Sequence, residues 1–357
     1  MSAGSRIGGL LRRYLPILDW APRYTRRTLT NDLIVAVIVT VMLIPQSLAY
    51  ALLAGLPVQV GLFASMAPLL VYAIFGTSRT LAVGPVAVVS LMTAAAVAPL
   101  AAQGSPEYLG AAIALAMVSG LLLLAMGLLR LGFLANFLSH PVVAGFITAS
   151  GLQIAAGQLG PVLGIHLEGE TFVELIAQLG REIGQTNPYT AAIGLGSLAF
   201  LFWARRGLKP LLQRLGFGEQ TASTLAKIGP AVALVATTVA VWAFALGDLG
   251  VSIVSTVPQG LPSLALPPLD FSLWTRILVP ALLISIVGYV ESISVALTLA
   301  AKRRQRVEPD QELIALGASN ICAALSGGFP VTGGLSRSVV NFEAGAETPA
   351  AGAFTAI

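Results

Sequence analysis

Charged side chains are scarce in this sequence of 357 residues, of which only 10% are Asp, Glu, Lys or Arg. A soluble domain carries about 25% charged residues, so the composition excludes an ordinary soluble protein. Apolar residues make up 56% of the chain, and the mean hydropathy is +0.86. The chain is therefore predicted to be an integral, multi-pass membrane protein whose first partner is the lipid bilayer.

Cysteine and histidine are almost absent as well. The single cysteine, Cys322, excludes an internal disulfide and is expected to be a small buried packing residue. His140 and His166 are too few for a histidine-rich metal site. The sequence also lacks the GxSxG, HExxH and Walker patterns that mark common catalytic and phosphate-binding sites. We therefore predict no enzymatic activity, no catalytic residues, no metal site and no cofactor.

The basic residues fall in clusters between apolar runs. Six arginines precede the first run, five basic residues lie between Arg205 and Lys227, and the third cluster is KRRQR at Lys302–Arg306. The loop near Gly164–Asn187 is mostly acidic, and the loop near Asp248–Asp270 has no Lys or Arg. The positive-inside rule then places the N-terminus and the basic clusters on the cytoplasmic side of the cell membrane. KRRQR has no interleaved aromatic residues, so no nucleic-acid partner is predicted.

Several apolar runs approach the length of about 20 residues that a membrane helix needs. They are 31–54, 60–76, 108–130, 137–163, 188–205, 228–247, 273–301 and 311–326. Two more runs, near 80–98 and 329–343, are interrupted by glycine and proline and predict half-helices. If each interrupted run crosses once, the chain makes about ten crossings and every basic cluster falls on one side.

The order of these runs indicates an inverted repeat. In each half of the chain an interrupted run follows two uninterrupted ones, and an odd number of crossings separates the copies, which reverses the second copy. We predict an all-α transporter fold with a cytoplasmic segment 1–30, a first repeat 31–247 and the start of a second repeat at 273–357. The second repeat is expected to be incomplete, with about four crossings missing after AAGAFTAI.

Arg337 adds a positive charge to the second interrupted run. In hydrocarbon, irregular backbone is tolerated only where it lines a protein cavity. A half-helix starting near Leu335 or Ser336 would direct free amides and the Arg337 guanidinium at that cavity, and both bind anions. Gly84 and Pro85 suit the start of a second half-helix. The alternative is that Arg337 extends to the membrane interface.

Glu291 lies in the middle of the long run 273–301, where a charge is costly. It is a candidate for proton coupling, and the alternative is a fixed ion pair, for instance with Arg337. Ser294 is the only nearby oxygen on the same helix face, so a proton is favoured over sodium. Gln46 and Tyr50 share a helix face and either line the cavity or form ordinary interhelical hydrogen bonds. Asp32 is expected to cap the first helix or to form a gating salt bridge.

Five sequence motifs resemble one known family. They are IPQSLAYALLAGLP, then PVQVGLFASMAPLLVYAIFGTSR at 57–79 followed by TLAVGPVAVVS, NFLSHPVVAGFITASG at 136–151, GYVESISVALTLAAK at 288–302 and GGFPVTGGLSRSVVN at 327–341. From about Leu29 to its end, the chain resembles the SulP anion-transporter (sulfate permease) family. The resemblance implies fourteen membrane segments in two inverted repeats of seven (a 7+7 fold), core and gate domains, and a following STAS domain.

The same resemblance implies that the last four membrane segments and the STAS domain are absent, so this chain alone is not expected to transport. It also allows a homodimer, although no self-associating face is visible in the sequence. It assigns substrate-binding positions to Gln46, Tyr50, Gly84, Pro85, Val86, Ala87, Leu335, Ser336 and Arg337. Val86 departs from the family, in which that position is often aromatic. Glu291 corresponds to a carboxylate linked to cation or proton coupling.

The expected function is secondary active transport of an inorganic anion by elevator-like alternating access, with sulfate favoured and a proton as the coupling ion. Bicarbonate or chloride transport on the same scaffold is one alternative. Nucleobase permeases have a similar architecture, but Arg337 favours an anionic cargo. An alternative from another class is an anion sensor or scaffold that does not transport.

Overall fold

The computed structural model describes residues 14–137, 140–165, 167, 172–219, 222, 225–226, 229–253, 260, 262 and 264–357. Some charges used in the topology prediction lie outside these ranges, namely Arg6, Arg12, Arg13, Glu168, Glu170 and Lys227. The chain divides into two compact units. Unit 1 comprises 1–139 and 258–357, and unit 2 comprises 140–257.

The described residues are mainly helical, with one pair of two-residue strands, so the all-α prediction is confirmed. In chain order the elements are α1 (Ile17–Trp20), a 3-10 turn (Ala21–Arg23), α2 (Arg26–Leu53), α3 (Val58–Phe75), β1 (Val83–Gly84), α4 (Ala87–Val97), α5 (Pro106–Leu128), a 3-10 segment (Leu131–Phe137), α6 (His140–Leu163), α7 (Phe172–Glu182), a 3-10 turn (Ile183–Gln185), α8 (Pro188–Trp203), a π-helical turn (Ala204–Leu208), α9 (Lys209–Arg214), α10 (Gly229–Ala243), a 3-10 turn (Leu246–Leu249), α11 (Phe271–Lys302), α12 (Pro309–Leu325), β2 (Thr332–Gly333), α13 (Leu335–Ala344) and α14 (Ala350–Thr355).

Four helices in the described part of the chain are long and apolar enough to cross a membrane, namely α2, α3, α5 and α11. Each coincides with a predicted apolar run. Helices α8, α10 and α12 have 16, 15 and 17 residues, which is shorter than the length of about 20 that a perpendicular span requires. The number of crossings therefore stays a prediction.

The start of α2 differs from the prediction. Thr25 caps this helix by accepting a hydrogen bond from the Thr28 amide at 3.2 Å, so α2 begins before Asp32. The expectation that Asp32 caps the helix is wrong. Its buried carboxylate instead accepts hydrogen bonds from the Glu347 amide at 2.9 Å and the Thr348 hydroxyl at 2.6 Å. Asp32 thus ties α2 to the loop that follows α13.

The sequence does not predict helix α7, because the acidic stretch around it favours a loop. Its 11 residues place apolar side chains on one face, with Leu175 buried, and charged ones on the other. An amphipathic helix of this kind has too few apolar residues to register as a membrane span. It belongs to unit 2 with α6, α8, α9 and α10.

Helix α12 packs closely on α5 in the core of unit 1. A methyl group on Gly120 would lie 2.9 Å from the Gly317 carbonyl, and one on Gly317 would lie 2.6 Å from the Leu124 amide. Small residues let membrane helices approach in this way. The approach makes α12 a fixed support for the interrupted segment that follows it.

Candidate functional site

The two predicted half-helices start side by side. Strands β1 and β2 pair antiparallel, with Val83 opposite Gly333 and Gly84 opposite Thr332, and each is followed at once by a short helix, α4 or α13. The Gly334 amide adds a hydrogen bond to the Ala82 carbonyl at 3.1 Å. The strand pair therefore satisfies backbone groups that an interrupted membrane segment would otherwise leave unpaired.

Two side chains of α13 form hydrogen bonds with the first interrupted segment, the one that precedes α4. Ser338 accepts a hydrogen bond from the Ala82 amide at 2.9 Å, and the Asn341 amide group donates to the Thr80 carbonyl at 3.0 Å. Neither residue was predicted as part of the site. The signal available in the sequence was a polar residue within a mainly apolar stretch, because such a residue usually has a structural or functional partner.

The second interrupted segment is also held by the helices around it. Asn320 of α12 donates to the Val331 carbonyl at 2.8 Å and accepts from the Val331 amide at 2.9 Å. Ser292 of α11 accepts from the Gly333 amide at 2.8 Å and lies 2.6 Å from the Thr332 hydroxyl. These contacts fix where α13 begins, and sequence reasoning missed Asn320, Ser292 and Thr332 as well.

Arg337 lies in the first turn of α13 and is only 1% exposed. Its Nη2 donates to the Pro85 carbonyl at 2.6 Å, whereas its buried Nη1 has no hydrogen-bond partner. A methyl group on Gly84 would lie 2.6 Å from Nη1, so a larger residue here would displace the guanidinium from this position. The structure thus places the guanidinium between the two half-helices rather than at an exposed membrane interface.

The starts of α4 and α13 both carry uncapped amides. Val86 and Gly334 occupy the N-cap positions, and no side chain caps either helix. A methyl group on Gly334 would lie 3.2 Å from Val86 Cγ1, so the two starts are in contact. Two helix N-termini and a guanidinium give this point a concentrated positive potential. Val86 and the adjacent Ala87 are buried and apolar.

Gln46 and Tyr50 of α2 reach the start of α13. The Gln46 amide nitrogen donates to the Tyr50 hydroxyl at 3.1 Å and to the Ser336 hydroxyl at 3.3 Å. The buried Gln46 Oε1 has no hydrogen-bond partner. Ser336 and its neighbour Leu335 are exposed. The structure therefore brings the residues predicted on α2 together with those predicted on α13.

Glu291 is half-buried on α11, and its Oε2 has no hydrogen-bond partner. No ion pair within 4.0 Å joins Glu291 and Arg337, both of which the structure describes. The fixed ion pair considered above is thus not formed in this structure. Ser294 donates to the Val290 carbonyl at 2.6 Å, so its hydroxyl proton is already used.

The described residues contain no group of three or more His, Cys, Asp or Glu side chains that could hold a metal ion. What they bring together is an unpaired, buried guanidinium nitrogen beside two helix N-termini, with Gln46 of α2 hydrogen-bonded to the start of α13. Such unpaired groups are rare in folded proteins and call for an explanation. The half-helices and this polar centre define an all-α membrane transporter fold.

The comparisons with known proteins identify the family. The profile of the sulfate permease family matches residues 29–357, and the chain belongs to this family. A probable sulfate transporter of Mycobacterium tuberculosis is 36% identical over 339 residues, which cover 92% of this chain and 57% of the relative. The chain therefore spans little more than half the length of this curated relative.

Solved structures show the same fold. The murine Slc26a9 anion transporter, in its inward-facing state, has a TM-score of 0.79 at 26% identity and is matched over 100% of this chain and 59% of its own. The transmembrane domain of the cyanobacterial bicarbonate transporter BicA has a TM-score of 0.74 at 22% identity, over 93% of this chain and 82% of its own. The second likeness concerns the fold alone.

Proposed function

We propose that this protein carries an inorganic anion across the membrane, with sulfate as the favoured cargo. The observation that carries the proposal is the buried Arg337, whose Nη1 has no protein partner and lies beside two uncapped helix starts. Backbone amides and a guanidinium bind oxyanions through several charge-assisted hydrogen bonds. The curated relative named as a probable sulfate transporter supports sulfate.

The cargo would be held by residues of three elements. Ser336, with the first amides of α13, and the first amides of α4 are the neutral donors, and Arg337 provides the charge. Gln46 and Tyr50 close the side formed by α2. Apolar Val86 sets the width of the pocket on the α4 side. Bicarbonate and chloride are the alternative cargoes, because the fold is shared with a bicarbonate transporter.

Proton coupling through Glu291 is the finer part of the proposal. Its carboxyl is half-buried in a membrane-spanning helix and has an oxygen without a hydrogen-bond partner. Binding of a divalent anion near Arg337 would favour protonation of Glu291, because the proton offsets the added negative charge. Alternating access would then follow elevator-like movement of the unit that holds both groups.

The membrane orientation is a further part of the proposal. Arg23, near the N-terminus, and Arg303, Arg304 and Arg306, after α11, line one cleft of unit 1. Arg23 and the three arginines after α11 therefore lie on the same side of unit 1. The positive-inside rule supports the cytoplasm for that side, and with it a cytoplasmic N-terminus.

Uptake of radiolabelled sulfate by the full-length protein in proteoliposomes tests the function. We expect uptake that increases with an inward proton gradient and that excess unlabelled sulfate inhibits more strongly than bicarbonate or chloride. Calorimetry first establishes that the protein binds sulfate. If it binds sulfate but shows no uptake, with or without a gradient or a counter-anion, the result would instead favour a sensor that does not transport.

Glu291→Gln is expected to retain sulfate binding and to remove the dependence of uptake on external pH. Glutamine has nearly the shape of a protonated carboxyl but cannot exchange a proton. The measurement is sulfate uptake across a series of external pH values. Glu107→Gln, at an exposed carboxylate, is the matched control. An unchanged pH dependence in Glu291→Gln would place coupling elsewhere.

Gly84→Ala is expected to weaken sulfate binding about tenfold, the equivalent of about one hydrogen bond to a charged group. The new methyl group would lie 2.6 Å from Arg337 Nη1 and 3.3 Å from Cζ, so the guanidinium must move. Calorimetric titration with sulfate measures the change. Gly196→Ala is the control, since no atom outside its own helix backbone and chain neighbours lies within 4 Å of the added methyl. Equal affinities in the two variants would contradict the role given to Gly84.

A further inference from the structure

A second polar site lies in unit 1, away from the half-helix starts. It is a cleft of about 790 Å³ between the start of the described chain, the turn before β1, the turn after α11 and the loop after α13. Five arginines line it, namely Arg23, Arg79, Arg303, Arg304 and Arg306. No residue assigned to the cargo site lines this cleft, so it needs a separate explanation.

The positive charge of the cleft exceeds its negative charge. Three carboxylates also line it, those of Asp19, Glu308 and Glu347. The Glu347 oxygens are already used, because they accept hydrogen bonds from Thr28 at 3.1 Å and from Asn31 at 2.5 Å. Five guanidiniums against three carboxylates leave an electropositive cleft, in which an anion is attracted from a distance.

Most of the arginines have their donors available. Arg303 is engaged, because it donates to the carbonyls of Phe342 and Ala346 and stacks on the Phe342 ring at 4.3 Å. The other four, Arg23, Arg79, Arg304 and Arg306, are exposed, and within the described residues no ion pair is formed by any of them. Their donors can therefore be directed at a ligand.

Arg304 occupies a position that normally belongs to glycine. It follows the end of α11 with a φ of 52°, and its amide and that of Gln305 donate to carbonyls of the last helical turn. Helices that end in this way usually place glycine at this position, since other residues are strained there. The Arg304 side chain, carried on this turn, lines the cleft.

We propose that this cleft binds a ligand that carries two or more phosphate groups. Arginine forks match phosphate oxygens in geometry and charge. The volume lies in the range of small-molecule pockets, about 300–1,000 Å³, and is far larger than a single sulfate or chloride ion requires. Two sources share this chemistry, a soluble nucleoside triphosphate and the headgroup of a membrane lipid with two phosphates.

Binding to the purified full-length protein tests the proposal with three probes. ATP and inorganic tripolyphosphate are titrated calorimetrically, and cardiolipin is offered in nanodiscs of phosphatidylcholine. We expect at least one probe to bind with an affinity that falls steeply with salt concentration. Binding of ATP or tripolyphosphate would assign a soluble ligand, and binding of cardiolipin alone would assign a lipid.

The double variant Arg79→Gln/Arg306→Gln is expected to bind the successful probe about 100-fold more weakly, about tenfold for each charge-assisted contact. Both residues are exposed, so its thermal unfolding midpoint should equal that of the unmodified protein. Arg276→Gln, at the exposed start of α11, is the matched control and should bind normally.

Two results would overturn the proposal. One is the absence of binding by all three probes at millimolar concentration and low salt. The other is equal affinity in the double variant and in Arg276→Gln. Neither result depends on transport, so failure here is distinguishable from failure of the proposed anion transport, which the sulfate uptake assay measures.

Discussion

Arg337→Gln is expected to weaken sulfate binding by about 100-fold, which corresponds to about 3 kcal/mol. The guanidinium is 1% exposed, and its Nη1 has no protein partner. Its interaction with a divalent anion would therefore take place away from water, where charges act strongly. Glutamine keeps a hydrogen-bond donor but removes the full charge. Calorimetric titration of the full-length protein with sulfate measures the loss.

Two variants separate the charge from the shape of the side chain. Arg337→Lys keeps the charge but loses the planar fork, so we expect an intermediate loss of about tenfold. Arg276→Gln removes an exposed arginine from the same unit and should leave sulfate affinity unchanged. If Arg337→Gln bound sulfate as tightly as Arg276→Gln, the anion site would have to lie elsewhere.

The stability of Arg337→Gln gives a second, independent readout. A buried charge with an unpaired donor destabilises the fold unless a ligand compensates it. We therefore expect the thermal unfolding midpoint of Arg337→Gln, measured without sulfate, to equal or exceed that of the unmodified protein. Added sulfate should raise the midpoint of the unmodified protein but not that of the variant. A lower midpoint in the variant would mean that Arg337 serves the fold.

The position of the candidate site follows from local signals in the sequence, and its role in binding an anion stays a prediction. Gly84 with Pro85, and the glycines before Leu335, interrupt apolar runs, and Arg337 is a charge within such a run. Each of these signals is visible within a short stretch of sequence. In the structure both runs contain a short helix, as predicted, and each helix follows a two-residue strand that was not predicted. The Arg337 Nη2 lies 2.6 Å from the Pro85 carbonyl oxygen.

The contacts that fix the site could not be predicted, because they join distant parts of the chain. Ser338 bonds the Ala82 amide, 256 residues away along the sequence. A serine or asparagine in an apolar helix has many potential partners, and the sequence does not say which carbonyl or amide lies opposite. The predicted start of α2 was wrong for a different reason. Thr25 and Asp32 are both good caps, and the choice between them depends on contacts of Asp32 with the loop after α13.

Glu312→Leu is expected to destabilise unit 1 by about 3–5 kcal/mol, more than any exposed substitution. Glu312 lies in the first turn of α12 and is 0% exposed. Its Oε2 accepts from the Tyr72 hydroxyl at 2.8 Å, and its Oε1 accepts from the Thr77 amide at 2.7 Å, the Thr77 hydroxyl at 2.6 Å and the Ser78 amide at 3.1 Å. Leucine leaves these buried donors without an acceptor, and each lost partner is costly.

Glu107→Leu is the matched control for the stability measurement. Glu107 also lies in the first turn of a helix, α5, but is exposed, so we expect a change within about 0.5 kcal/mol. Glu312→Gln should fall between the two, because its amide oxygen still accepts hydrogen bonds while its amide nitrogen opposes a donor. Thermal unfolding in detergent, followed by intrinsic fluorescence, ranks the three variants. Equal midpoints for Glu312→Leu and Glu107→Leu would contradict the structure.

Glu312 also links stability to the cargo site. Thr77 and Ser78, which it holds, precede Thr80 and Ala82, whose carbonyl and amide bond Asn341 and Ser338 of α13. Loss of the Glu312 hydrogen bonds should therefore increase the mobility of the first interrupted segment. The distance between the Pro85 carbonyl and the Arg337 guanidinium would then vary more. We expect Glu312→Gln, at a temperature where it remains folded, to bind sulfate several-fold more weakly than Glu107→Gln. Unchanged affinity would show that the strand pair alone keeps the two half-helix starts together.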